Sequence, residues 1–161
     1  MHEAISGMIR GRVHVYPLRV YYEDTDAGGV VYHANYLRYA ERARTEMLRL
    51  LGRSHASLQE GEDQAGLAFA VRRCEAEYMA PARLDDALEV HSRVTELGGA
   101  SVAFEQAVVR RTERIAHLKV RVACIRLDNG KAARLPADVR ETLRDFLSDS
   151  QRDVSDGNAN G

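Results

Sequence analysis

Two hydrophobic periods alternate along this chain, and their order predicts its architecture. Residues 13–25, Val-His-Val-Tyr-Pro-Leu-Arg-Val-Tyr-Tyr-Glu-Asp-Thr, are rich in Val and Tyr and read as a strand, with Pro17 confining the early part to an edge or a bulge. Asp26-Ala27-Gly28-Gly29 then breaks the run as a turn. Over residues 36–51 the period becomes helical: Tyr36, Ala40, Ala43, Met47 and Leu50 make an apolar stripe that Leu37, Leu48 and Leu51 widen. Arg38, Glu41, Arg42, Glu46 and Arg49 fall mainly on the other faces, with Glu41–Arg44 and Glu46–Arg49 spaced as i,i+3 ion pairs. Asn35 is placed to cap this helix and Gly52 to end it.

Residues 54–67 form a polar, Gly-punctuated connection with room for a short helical turn. Beyond it the period drops to two. Phe69 to Ala80 reads as a strand ended by Pro81, and Leu88, Val90 and Val94 alternate with Glu89, His91, Arg93 and Thr95. Gly98-Gly99 is a turn. Ser101 to Arg111 and the alternating Leu118, Val120, Val122 and Cys124 give two further strands, the last ending at Asp128-Asn129-Gly130. Pro136, followed by Val139, Leu143 and Phe146, announces a short C-terminal helix. The pattern predicts an α+β fold in which a curved antiparallel β-sheet wraps one long central helix and buries its stripe. Open strand edges in such a sheet invite a second copy, so a homo-oligomer is expected.

Composition narrows the class. The 161 residues suffice for one domain, taken as 13–147 between an N-terminal extension (1–12) and a disordered C-terminal tail (148–161) rich in Ser, Asp, Asn and Gly. Lys plus Arg number 23 against 24 Asp plus Glu, which removes the long-range attraction a nucleic-acid binder relies on. No stretch approaches the ~20 apolar residues of a membrane span, and the start of the chain lacks a signal peptide's apolar run, so a cytoplasmic protein is expected. Cys74 and Cys124, isolated in strand-like segments, read as small core hydrophobes rather than a disulfide or a zinc site.

The chemistry concentrates between the first strand and the helix, in Arg19-Val20-Tyr21-Tyr22-Glu23-Asp24-Thr25-Asp26-Ala27-Gly28-Gly29-Val30-Val31-Tyr32-His33-Ala34-Asn35-Tyr36. A helix start offers unpaired N–H groups and a positive dipole end, which suit a developing oxyanion. A carboxylate on the adjacent turn could act on the carbonyl carbon, and the glycines would let the substrate approach. Asp24-Thr25-Asp26-Ala27-Gly28 is no calcium loop, because the fifth position would be Gly28 and the twelfth Asn35 rather than Glu. No metal and no cofactor is called for.

This segment, with Tyr39-Ala40-Glu41-Arg42-Ala43-Arg44-Thr45-Glu46, Glu77-Tyr78-Met79-Ala80-Pro81-Ala82-Arg83-Leu84-Asp85-Asp86 and Arg134-Leu135-Pro136, resembles the 4-hydroxybenzoyl-CoA thioesterase family, most closely its YbgC-like branch, over residues 16–147. The resemblance implies a hotdog fold, a homodimer or homotetramer, an association with the Tol-Pal system and hydrolysis of short- or medium-chain, or aromatic, acyl-CoA thioesters. It implies Asp26 as the catalytic carboxylate, attacking directly or activating water, and His33 as the source of the polarising N–H, its side chain also implicated. Tyr22, Gly29, Tyr32 and Glu41 are the substrate-binding candidates, with Tyr22 and Tyr32 also suited to the core or a subunit interface and Glu41 to orienting the site. One departure stands out: the turn Leu97-Gly98-Gly99-Ala100 lacks the basic cluster with which some relatives clamp CoA phosphates. Arg72, Arg110 or Arg111 would have to serve instead, or an acyl carrier protein would replace CoA. A non-catalytic acyl-CoA or acyl-carrier-protein binding module and a hotdog enoyl-CoA hydratase or dehydratase remain the alternatives, since one fold hosts several functions.

Overall fold

Val20 is fully buried, and its N–H and C=O bond to Asp86 O (2.9 Å) and Asp85 N (3.0 Å), so the first long strand stops at Arg19 instead of running to residue 25. Asp24 Oδ2 then accepts the Tyr21 N–H (2.8 Å) and folds Tyr22–Asp24 into one turn of 3₁₀-helix. The computed structural model describes residues 5–52 and 66–147; most of the expected 54–67 connection and the expected tail lie outside them. The elements are β1 (Met8–Arg10), β2 (Val13–Arg19), α1 (His33–Leu50), β3 (Leu67–Tyr78), β4 (Ala87–Leu97), β5 (Ser101–Arg110), β6 (Glu113–Arg126) and α2 (Ala137–Arg144).

The strands form one antiparallel sheet in the order β1-β2-β4-β5-β6-β3, curved around α1 as expected for a hotdog fold. Period two explains which face is inward: Leu88, Val90 and Val94 of β4, and Leu118, Val120, Val122 and Cys124 of β6, are buried against Tyr36, Ala40, Ala43 and Met47 of α1. Pro17 lies on β2 beyond the residues that β1 pairs, where a missing N–H breaks no ladder. α2 closes one end with Val139 and Leu143. No helix among the described residues is long and apolar enough to cross a membrane.

Three expectations change. The helix begins at His33, three residues early, and Tyr32 occupies the N-cap position without a side-chain bond; Asn35 is not the cap but sits buried in the first turn, its Nδ2 donating to Asp24 O (2.8 Å). Arg44 does not pair with Glu41 across i,i+3; its Nη1 donates to Gln106 Oε1 (2.9 Å). Cys74 is exposed, unlike the buried Cys124. β3 is the last strand of the sheet, and Cys74 stays exposed at that edge although a bulge between Val71 and Arg73 turns it inward. Before it, Phe69 and Val71 oppose Cys124 and Val122; after it, Cys74, Ala76 and Tyr78 oppose Val120, Leu118 and Ala116. The inward set of β3 thereby switches from odd to even numbers, and Cys74 lands at the open edge beside α1.

Beneath α1 a row of buried polar side chains crosses the sheet: His14, Ser92 and Gln106, neighbours in register. Gln106 Nε2 donates to Ser92 Oγ and to Ala40 O of α1 (both 2.9 Å). His14 Nε2 donates to Ser6 O (2.7 Å), while its Nδ1 is buried without a partner. Burial pushes the His14 pKa down, against smaller raising effects of the Ser6 bond and the Glu46 charge. An unfolded His titrates near ~6.5, so below that pH the unfolded chain takes up a proton that the folded chain refuses. Stability is full above that value and falls as the pH drops toward the folded pKa. Urea midpoints at about pH 7.5 and about pH 5.5 should show this fall. A His14→Gln chain, which keeps a donor for Ser6 O, should show a smaller one; an equal fall would assign the effect to other groups.

Candidate active site

The turn that carries Asp26 is closed by its own backbone. Asp26 N–H donates to Val30 O (2.8 Å) and Gly29 N–H to Asp26 O (3.0 Å), while bridges Thr25–Val31 and Val30–Arg83 hold the ends. Asp26 Oδ1 accepts from Gly28 N (2.8 Å) and, more loosely, from Val30 N (3.4 Å). Oδ2 accepts nothing from the described residues, and the side chain is exposed. Gly29 adopts φ +80°, a conformation that favours glycine, and a Cβ on Gly28 would stand 3.2 Å from Asp26 Oδ1, close enough that the carboxylate would have to give way.

α1 begins seven residues after Asp26. Its N-cap lacks a side-chain acceptor, and the His33 and Ala34 N–H groups, at the positive end of the helix dipole, have no partner among the described residues. The His33 ring lies 4.5 Å from the Tyr32 ring and 6.2 Å, edge-on, from Tyr78 at the end of β3. Tyr78 Oη donates to His33 O (3.2 Å), and its ring also meets Tyr36 at 5.4 Å. Tyr36 Oη accepts the Ala82 N–H (3.1 Å), and burial pushes its phenol pKa up. Behind these, Asp24 O accepts both Tyr32 N–H (3.0 Å) and Asn35 Nδ2 (2.8 Å), tying the turn to the helix start.

A groove runs along α1 under the edge of β3, beginning one turn into the helix at Leu37. Its nearer part, about 550 Å³, is lined by Leu37, Glu41, Arg44, Val71, Cys74 and Val120. The farther part, about 630 Å³, shares Glu41, Arg44 and Val71 and continues between Leu48, Phe69 and Leu143. Both volumes are partly open to solvent.

The structure brings Tyr32, His33 and the Asp26 turn to one end of α1 and places Glu41 on the groove wall. Gly29 shapes the Asp26 turn. Tyr22 is 82% exposed on the 3₁₀ turn and Tyr32 49% exposed, so neither is a core residue. Of the phosphate-binding candidates, Arg110 is committed to Asp86 (2.9 Å) and Glu113 (3.3 Å), which removes it as a free cation; Arg72 and Arg111 are exposed. The Gly98-Gly99 turn, uncharged in sequence, receives a cation from α2: Arg140 Nε donates to Gly98 O (3.4 Å). Sequence reasoning missed the roles of Tyr78, Gln106 and Asp24. An aromatic near a strand end and a Gln in an otherwise apolar inward set were the available signals.

With this geometry in place, relatedness decides the family. A profile of the thioesterase-like superfamily matches residues 20–143. The chain belongs to that superfamily. It is 46% identical over 125 residues to the acyl-CoA thioesterase YbgC of Haemophilus influenzae, covering 78% of this chain and 90% of that one. It is 45% identical to the acyl-CoA thioester hydrolase YbgC of Escherichia coli O157:H7, covering 77% and 90%. Among solved structures, a probable thioesterase from Bartonella henselae superposes with a TM-score of 0.74 at 39% identity, covering 77% of this chain and 99% of that one. The superfamily match and the sheet-wrapped helix agree on the hotdog fold.

The Asn35 link generates a prediction. Asn35→Ala leaves the Asp24 carbonyl with one partner fewer in a buried place, which should lower unfolding stability by about 1–3 kcal/mol. Guanidinium denaturation at fixed protein concentration measures it; a change within experimental error would show that the side chain does not hold the turn.

Proposed function

We propose that this protein hydrolyses short- or medium-chain, including aromatic, acyl-CoA thioesters, with Asp26 as its catalytic carboxylate. The observation that carries the reading is one free carboxylate oxygen, on an exposed glycine-shaped turn, next to an uncapped helix start. Sulfur donates weakly into a carbonyl, so the thioester carbon is electrophilic and thiolate a competent leaving group. Asp26 attacks that carbon directly or takes a proton from an attacking water, while the N–H groups at His33 hold the developing oxyanion. Water supplies the hydroxyl of the acid product and the proton that leaves with CoA thiol. The acyl-CoA thioesterase activity of the YbgC relatives supports this substrate class.

The working unit in this proposal is a homodimer or a larger homo-oligomer built on the β3 edge. β3 stands last in the sheet, 12 residues long, and exposes Val71 and Tyr78 there, with Met79 just beyond. The outer sheet face is less suited, because it carries solvated pairs such as Arg73–Glu75, His117–Glu105 and Arg121–Glu96. Sedimentation of the full chain should give a dimer or an even-numbered multiple; a monomer at micromolar concentration would refute this part.

One observation favours a second reading. The two hydrogen bonds into Asp26 Oδ1 are those of a turn-forming Asp, so a non-catalytic acyl-CoA or acyl-carrier-protein binding module fits the same geometry. Thiol release from an acyl-CoA panel separates the two. Asp26→Ala and Asp26→Asn are expected to lower kcat by about 10²–10⁴-fold, as loss of a catalytic acid–base group does. Acyl-CoA binding by calorimetry without turnover in the wild type would select the second reading.

A further inference from the structure

The face of α1 that starts at His33 continues at helical steps through Leu37, Glu41, Arg44 and Leu48 to Leu51. From Leu37 onward this face is the wall of the groove. Resting on the thioesterase reading above, we propose that the acyl chain lies along this face and that Arg44 closes its path, setting the upper limit of chain length. Arg44 is a specificity-determining residue in this scheme and takes no part in the chemistry.

Glu41, Arg44 and Val71 line both parts of the groove, so two of the three side chains at the waist between the apolar compartments are charged. The guanidinium is pinned there by Gln106 Oε1 at 2.9 Å, and Gln106 is itself fully buried and fixed by Ser92 Oγ and Ala40 O. Burial pushes the Arg44 pKa down, partly offset by Glu41, which marks a cation already stripped of some water. An alkyl chain pressed past it would remove more hydration and offer no acceptor in return. From Leu37 to Arg44 the helix advances about 10 Å, enough for a short or medium chain. Beyond the waist, the space between Leu48, Phe69, Val102, Phe104, Val122 and Leu143 is apolar. In the wild type it is closed to the substrate.

Removing the Arg44 guanidinium widens the waist, with Glu41 still lining it. Each methylene that gains apolar contact there is worth about fourfold in binding. The test is kcat/KM over straight-chain substrates from butyryl- to palmitoyl-CoA for wild type, Arg44→Met and Arg44→Lys, each checked for cooperative unfolding. In Arg44→Met the palmitoyl-to-hexanoyl ratio of kcat/KM should rise at least about tenfold, the gain from about two buried methylenes. Arg44→Lys keeps the charge and should hold the wild-type ratio. A ratio in Arg44→Met within about twofold of wild type, or below it, overturns the proposal, the expected gain being fourfold per methylene. Should Arg44→Met fail to fold, Arg44→Gln reads the same ratio. If the wild type releases no thiol at any length, the thioesterase reading fails by itself. Calorimetry with non-hydrolysable acyl-CoA thioethers of the same lengths then tests the gate separately: a rise in relative long-chain affinity in Arg44→Met supports it, and no rise overturns it.

Discussion

The main-chain carbonyl of Asp24 accepts hydrogen bonds from the Tyr32 N–H and from Asn35 Nδ2, and the geometry of the site depends on that knot. Residues 25–31 belong to no named strand or helix; two isolated bridges and the turn's own bonds hold their shape. Without a fixed point they could swing as a hinged loop. Because Asp24 itself is buried, both lone pairs of its carbonyl need protein partners, and it takes them from the two residues that flank the helix start. Its carboxylate meanwhile caps Tyr21 and faces the Tyr39 hydroxyl, whose pKa burial and that charge push up. One residue thus joins the entry to the turn, its exit and the first turns of α1. On the proposed reading, these bonds hold the Asp26 turn against the start of α1, as the preorganisation of an oxyanion site would require.

A second constraint fixes α1 along the sheet. The Ala40 carbonyl serves the intrahelical ladder and also accepts from Gln106, so the middle of the helix is anchored by direction as well as by packing. Apolar contacts alone would let the helix slide by small steps. The bulge in β3 acts on the opposite wall: by switching parity between Val71 and Arg73, it turns Cys74 and Tyr78 toward α1. A regular strand would have aimed Arg73, Glu75 and Glu77 into the groove. The groove exists because of that one extra residue.

What the sequence revealed follows the same physics. The long helix and the four later strands were legible because their burial is periodic, and periodicity survives in composition. The ends of β2 and α1 were not, because long-range bonds decide them: Val20 to residues 85 and 86, and Asn35 to Asp24. Glu41–Arg44 spacing suggested an ion pair, but a buried Gln on a distant strand competes successfully for the guanidinium. Cys74 misled for a related reason: it does face inward, but β3 is the last strand of the sheet, and nothing in Val71-Arg72-Arg73-Cys74 says that this edge is left uncovered. The short strand β1 has no alternation to detect and is drawn into the sheet by β2. The Asp26 turn, by contrast, is written locally in Asp, Gly and Gly, so its conformation could be read directly.

In the proposed function, the exposure of Asp26 links the chemistry to assembly. A carboxylate in open water is well solvated, and its action on a thioester, by attack or through water, would gain little from a nearby helix dipole while water screens both. The proposed site therefore needs a cover. The described chain provides none over the His33 end, yet it leaves Tyr78 and Met79 exposed at the end of β3, beside that helix start. On the proposed reading, the same edge that recruits a second copy brings apolar surface against the Asp26 turn and the mouth of the groove. Dimer formation and completion of the active site are then one event, and an isolated subunit holds the catalytic residues in position without the dry surroundings that make them effective.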